Sequence, residues 1–448
     1  MKSRGEMLMS QMKDSGIKWI GSIPEEWEVL KSRYFLNEIS IKGYPNEEVL
    51  SLYRDYGIIP KNSRSDNHNV TSLDTSGYKF VSPGNLVINK MKAWQGSMAI
   101  SNLRGIVSPA YYTFEVDNER FDLRFLHYAL RNPAYKQEYR RISAGLRIGQ
   151  WDLNKNEFKN LKYVYPIDKT VQKKIATFLD EKTALIDEII SDSKKSIEEL
   201  KAYKQSLITE IVTKGLDPNV TLVPSGIDWI GDIPEGWEVV RSKNILSYSK
   251  GLSITKENLT ETGIPVINYG QIHSKYPVYF NPKINQLPFI SNVYLESKKN
   301  ALLNQGDFVF ADTSEDISGS GNFSSLTSDG IVFAGYHTII ARIIDKTRIN
   351  FRYLAYYFSS ELHRKQVGSR VSGVKVFSIS QKILKSMLIL LPNRDEQNSI
   401  ANYLDQKTAQ IDTIIAEKEN LIFEFESYKK SMIYEYVTGK KQVEGYES

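Results

Sequence analysis

From Gln172 onward apolar residues fall at Ile175, Leu179, Ile186, Ile190, Ile197, Leu200, Leu207 and Ile211, separated mostly by three, four or seven positions. That spacing draws one apolar stripe along a helix whose other faces carry Lys, Glu and Asp. Neither proline nor glycine interrupts the run before Gly215 and Pro218. A helix of roughly 40 residues, about 60 Å long at 1.5 Å per residue, is predicted. A matching stripe of Ile400, Leu404, Ile411, Ile415, Ile422, Phe425, Met432 and Tyr436 ends before Gly439. Each stripe needs a cover, and each is the natural cover for the other. Because Gly226 to Pro392 lies between them, the chain leaves along one helix and returns along the other, which predicts an antiparallel coiled coil.

The stripes belong to a larger repeat. Ser15 to Val29, SGIKWIGSIPEEWEV, returns at Ser225 to Val239 as SGIDWIGDIPEGWEV, with twelve of fifteen positions identical. Gln172 to Ile190, QKKIATFLDEKTALIDEII, returns at Gln397 to Ile415 as QNSIANYLDQKTAQIDTII, with twelve of nineteen identical. Tyr203-Lys204, Ser206, Ile208, Glu210, Val212 and Thr213 return 225 residues later. Between these boxes the copies diverge around a common skeleton: Gly84–Val87 against Gly306–Val309, Gly105–Val107 against Gly330–Val332, and Arg124, Leu126, Tyr128 against Arg352, Leu354, Tyr356. A period near 220 residues is far beyond the ~20–50 of a solenoid unit, so one domain and one helix have been duplicated. The fold class expected is mixed α/β (α+β), two homologous domains with two long paired helices and an internal pseudo-twofold repeat.

Composition narrows the function classes. At 448 residues the chain allows about three domain-sized units. Hydrophobic residues at 41% and charged residues at 25% are ordinary for a globular protein, and no run approaches the ~18 apolar residues of a membrane span. Met1 to Lys13 lacks the apolar stretch of a secretory signal, so a cytoplasmic location is expected. With no cysteine, disulfides, cysteine-ligated zinc and a thiol nucleophile are all excluded. Lys and Arg at 58 against Asp and Glu at 53 leave a net charge of +5, which permits nucleic-acid binding without demonstrating it.

The two GIxWIGxIPxxWE boxes at Gly16 and Gly226 and the two QxxIAxxLDxKTAxID boxes at Gln172 and Gln397, in that order, resemble the specificity subunits of Type I restriction-modification systems. The resemblance runs from about Ser15 to Thr438. It implies a flexible extension over 1–14, a target-recognition domain over 15–165, a spacer helix over 166–214 and a linker over 215–225. A second recognition domain over 226–391, a second spacer helix over 392–438 and a flexible tail over 439–448 would follow. Each domain would read one half of a gapped double-stranded DNA site, and the helices would set the gap and dock two methyltransferase subunits. Restriction and translocase subunits would join that core. The chain itself would be non-catalytic and carry no cofactor, with S-adenosylmethionine and ATP with Mg on the partner subunits. The rival reading is an orphan two-headed DNA-binding regulator or adapter without enzyme partners.

Candidate DNA-contacting residues sit in the divergent regions. Asn89–Gly96 with Ser108–Tyr111 is similar to a segment of one class of recognition domain, and Asp312–Asp316 with Gly335–Thr338 to a segment of another. Lys90 and Lys92 offer cations for phosphate, Trp94 a stacking ring, Gln95 an amide for adenine, and Tyr111 lies close by in the similar segment. The same stretch also reads as a strand and turn around a buried tryptophan. Arg147, Gln150 and Trp151, and Lys375 and Ser378 in the second copy, follow a glycine after a helical segment, where a loop presents donors or simply makes a solvated turn. Thr313, Ser314, Glu315 and His337 complete the candidate set. The carboxylates Asp312, Glu315 and Asp316 have no accompanying histidine constellation or second cluster, which argues against an acid–base or metal site. Asn132-Pro-Ala-Tyr135 lacks the second proline of an adenine-methyltransferase motif, and no G-x-x-x-x-G-K-(S/T) loop is present. Trp19, Trp27, Trp229 and Trp237 are expected in cores, with Pro24 and Pro234 fixing turns.

Overall fold

The computed structural model describes residues 11–54, 56–64, 74–147, 150–373 and 376–443, without the side chains at 146, 147 and 150. The chain separates into two compact units, Met1–Ser193 with Glu419–Ser448, and Lys194–Lys418. Each unit therefore holds one recognition domain and a length of both long helices, Lys169–Lys214 and Arg394–Val437.

The duplicated skeleton becomes a duplicated sheet. In the first unit Leu36–Ile39, Tyr111–Val116, Leu86–Asn89 and Met98–Ile100 pair antiparallel in that order. In the second, Leu246–Lys250, Thr338–Ile343, Phe308–Ala311 and Phe323–Leu326 pair in the same order, and Val278–Phe280 adds a parallel edge strand. The second copy also builds a small mixed sheet over its own core of Val266, Ile290, Phe333 and neighbours. Each domain is closed by one strand pair, Trp27–Lys31 with Lys162–Pro166, and Glu238–Arg241 with Leu388–Leu391, so the chain enters beside the strand that leads into its long helix.

The conserved helix box is the part that grips its own domain. Gln172 is fully buried; its Oε1 accepts from the Asp122 N–H at 2.8 Å and its Nε2 donates to the Arg120 and Pro166 carbonyls. Gln397 repeats this with the Asn350 N–H and the Arg348 and Pro392 carbonyls. Further along, Asp180 accepts from Arg124 and Tyr128 at 2.9 and 2.8 Å, with Thr183 beside the phenol, as Asp405 does from Arg352 and Tyr356 beside Thr408. The sequence skeleton Arg-x-Leu-x-Tyr and the LDxKT box are thus the two halves of one docking contact.

The helices also hold each other, reciprocally. In the first unit the Phe178 and Tyr436 rings lie 4.5 Å apart and Lys429 Nζ bonds Asp187 at 2.6 Å. In the second unit Lys204 Nζ bonds Asp412 at 2.6 Å. The two ion pairs are one pair duplicated at an offset of 225 (187 to 412, 204 to 429), and they run antiparallel as the chain order demands. All sixteen stripe residues are buried or half-buried.

The ends of the segments differ from expectation. The extension expected over 1–14 already forms a strand at Met12–Asp14, paired with Ser22–Pro24, because this hairpin covers the opening box; its residues 1–10 lie outside the described residues. The linker expected over 215–225 likewise ends in Leu222–Pro224, paired with Asp232–Pro234, so Pro24 and Pro234 end strands. The tail expected over 439–448 begins folded: Lys440 Nζ donates to the Ser22 carbonyl and Val443 packs on the first core. Gly439, at φ +73°, carries the chain off the helix where any Cβ would collide with Pro24. Trp27 and Trp237 are buried and Trp19 is half-buried edge-on to Tyr135, but Trp229 is 47% exposed, with no ring contact among the described residues.

Replacing Gln172 by Leu strands one buried N–H and two carbonyls; we expect a loss of about 3 kcal/mol in urea unfolding, since each stranded group costs roughly 1–3 kcal/mol. A shift within error would show that the clamp is dispensable. A second prediction concerns His363, fully buried against Phe358, with no hydrogen-bond partner for either ring nitrogen among the described residues. Burial, with Arg364 adding to it, pushes its pKa down to about 3. The unfolded chain takes up a proton near pH 6.5 that the native state refuses, so stability falls as pH drops from about 6.5 toward 3. His363→Leu is expected to flatten that slope between pH 4 and 6; an unchanged slope contradicts the assignment.

Candidate nucleic-acid interface

In the first domain the candidate surface grows from the end of the central strand Leu86–Asn89. Asn89 turns the chain, its carbonyl accepting from Lys92 N and its Oδ1 from Met91 N. A short 3-10 turn, Ala93–Gln95, follows, with Ala93 buried. Gly96 sits at φ +85°, where a Cβ would press into the Lys136 side chain, which is why the segment ends in glycine. Trp94 donates from Nε1 to the Met91 carbonyl and its ring lies 5.0 Å from Trp151, over which the Arg140 guanidinium sits at 5.6 Å. The Lys90 carbonyl accepts from Leu153 N, and its ammonium is bonded to Asp152 at 2.9 Å, which raises its pKa. Lys90 is therefore a neutralised, structural cation, whereas Lys92 is exposed. Gln95 is half-buried. Tyr111 stands opposite Asn89 in the sheet register and packs on the small core of Val81 and Val87, where burial raises its phenol pKa. Arg147 and Gln150 face each other across the hairpin Ser143–Arg147 with Gln150–Leu153; their side chains lie outside the description.

The second domain uses the same place differently. Asp312 follows the equivalent strand, Phe308–Ala311, and its carbonyl accepts from Ile379 N as that of Lys90 does from Leu153 N. Thr313–Ser314 then pairs with Phe377–Ser378. His337 donates from Nδ1 to Asp312 Oδ1 at 3.1 Å, and Tyr269 meets its ring edge-on at 5.4 Å. Glu315, His337 and Ser378 are exposed and Thr313 half-buried. Ser314 is buried, its Oγ accepting from Asp316 N, so it shapes the turn and does not face solvent. Asp316 accepts from Ser318 and Gly319, which lowers its pKa: the acidic run closes a loop. Lys375 lies outside the described residues. Asn132 caps the helix Pro133–Arg141, accepting from Ala134 N, and Tyr135 is buried, so this near-motif is structural. Among the described residues no group of His, Cys, Asp and Glu has metal-site geometry.

Both domains thus place a variable loop after the same strand and against the same partner strand. A family model described as the Type I restriction modification DNA specificity domain matches residues 24–199 and 234–423. The chain belongs to that family. It is the specificity subunit of a Type I restriction-modification system. Over 431 residues it is 26% identical to the MjaVIII Type I restriction enzyme specificity subunit of Methanocaldococcus jannaschii, covering 94% of each protein. Its fold matches a chain from a structure on complex assembly and conformational transition of the type I R-M system, with TM-score 0.71, 14% identity, and 94% and 99% of the two chains covered. It also matches the HsdS subunit from Thermoanaerobacter tengcongensis, with TM-score 0.53, 14% identity, and 94% and 98% covered. The orphan-adapter reading is not favoured.

Several residues of this specificity subunit's surfaces escaped sequence reading. Arg140 and Arg141 are exposed and, with Gln137, Ser143 and the already expected Trp151, line a shallow open groove beside Trp94. Their only signal was the Arg pair closing a helical segment. Behind the second surface runs a relay: Arg364 donates to Asn322 Oδ1, Asn322 Nδ2 to His273 Nδ1, and His273 Nε2 to the Thr313 carbonyl. Each of these bonds spans at least 40 residues, and no local pattern joins them. The relay fixes the strand Thr313–Ser314 from inside. No described helix is long and apolar enough to cross a membrane.

Proposed function

We propose that this specificity subunit reads a two-part DNA site through the two matched surfaces and leaves the chemistry to its partners. The observation that supports this most is the equivalence of Lys90 and Asp312: one scaffold position, held by the same backbone contact, surrounded by a Trp–Trp–Arg stack in one copy and by His, Asp and Tyr in the other. A fixed frame with exchanged surface chemistry suits two readers of different half-sites. In this reading Lys92, Trp94, Gln95, Arg147 and Gln150 act in the first half-site, and Thr313, Glu315, His337, Lys375 and Ser378 in the second. Lys90, Tyr111 and Ser314 shape the surfaces from within.

The long helices carry partners as well as the frame. Tyr203 and Tyr428, and Ile189 and Ile414, stand 40–58% exposed at matching positions of the two helices. A face that occurs twice fits two copies of one partner, the methyltransferase subunit, and restriction subunits join through them. S-adenosylmethionine and ATP with Mg are bound by those subunits, and the subunit itself, without catalysis, works on DNA in the cytoplasm.

The test is to express this chain with its cognate methyltransferase subunit in a host lacking adenine methylation and to map N6-methyladenine by single-molecule sequencing. The expected result is one two-part motif with an unread gap, absent when this chain is omitted. Methylation that is unchanged without the chain, or confined to a continuous motif, would overturn the reading.

A further inference from the structure

We propose that His337 is a specificity-determining residue of the second domain, contacting through Nε2 the edge of one base pair. The proposal rests on the DNA-reading function given above and adds which atom reads. Among the described residues only His337 and Val278 adopt a positive φ without being glycine, at +53° and +71°. A side chain disfavours that conformation, and fourteen glycines serve it elsewhere among the described residues. The position holds a histidine whose side chain is 55% exposed.

The surroundings hold the ring from one side and leave the other free. Asp312 accepts the Nδ1 hydrogen, which fixes the ring's orientation and leaves Nε2 as the polar atom without a hydrogen bond among the described residues. Tyr269 and Tyr336 flank the ring edge-on at 5.4 and 6.0 Å and restrict its rotation. Asp312 itself is anchored at both backbone groups, its N–H donating to the His337 carbonyl and its carbonyl accepting from Ile379 N. The pair is therefore a preset unit on the strand end.

Charge decides between phosphate and base. The Asp312 carboxylate is bonded to the ring and Glu315, three residues on, is exposed, and carboxylates repel phosphate oxygens. Base edges, in contrast, offer amino donors and ring acceptors that an imidazole and a carboxylate can both meet. A base-edge contact fits an acidic rim; a backbone contact does not.

The test uses the full chain in complex with its methyltransferase partner. His337→Asn and His337→Gly both tolerate positive φ, and Gly removes the strain altogether, so a folding defect is avoided. Adenine methylation is mapped genome-wide, and the purified complexes are titrated with duplexes bearing each single base substitution. Both variants are expected to relax one position of one half-site, with discrimination there falling about tenfold and the other half-site unchanged. Asp312→Asn is expected to relax the same position. An unchanged motif would reduce His337 to a turn residue, and uniform weakening across all sequences would make it a phosphate contact; either overturns the proposal. If methylation is lost altogether, the duplex titration decides by the same two criteria. A wild-type complex with no two-part motif would instead overturn the underlying DNA-reading function.

Discussion

One short helical box carries two kinds of contact, and the rest of the molecule hangs on it. Its glutamine, Gln172 or Gln397, is buried with every amide group it offers the backbone in use, and its Asp and Thr receive an Arg and a Tyr from the adjoining domain. Buried polar groups are costly unless fully partnered, so this contact specifies one seating of the domain on its helix. About two turns further along, the same box presents Asp187 or Asp412 to a lysine of the other helix. These ion pairs are solvent-exposed and contribute little energy; their value is in register, while the apolar stripes supply the stability.

Separating frame from surface in this way leaves the loops free to differ. The four-strand order of the sheet, the closing strand pair and the glutamine clamp recur in both copies, so the exposed positions after Asn89 or Ala311 differ without touching the cores. Each copy packs a second small core on its sheet, Val81 and Val87 with their neighbours in the first and Val266, Ile290 and Phe333 under a four-stranded mixed sheet in the second, and the order of the shared strands is the same in both. The two surfaces have accordingly moved to different chemistry on one scaffold, an indole pair under a guanidinium against an imidazole held by a carboxylate.

What the sequence made legible was whatever repeats or is periodic. The stripes from Ile175 and Ile400, the boxes and the skeleton residues Arg124 and Arg352 are local patterns, and duplication shows each of them twice. The site was legible only as segments. That Lys90 is spent on Asp152, that Ser314 and Tyr111 face inward, and that Arg364 reaches Thr313 through Asn322 and His273 all depend on pairings across tens of residues. Trp229 shows the limit of the repeat itself: the same residue at the same place in the repeated box is half-buried against Tyr135 in the first copy and exposed in the second.

The central claim is that each domain is a self-contained reader seated on a common frame, and an exchange of one domain tests it most directly. Residues 239–391, which enter and leave through the closing strand pair, would be replaced by the corresponding segment of a relative with a different target, and adenine methylation mapped for the hybrid complex. The account predicts that one half of the motif changes to that of the donor while the other half stays as it was. A motif altered in both halves would contradict it.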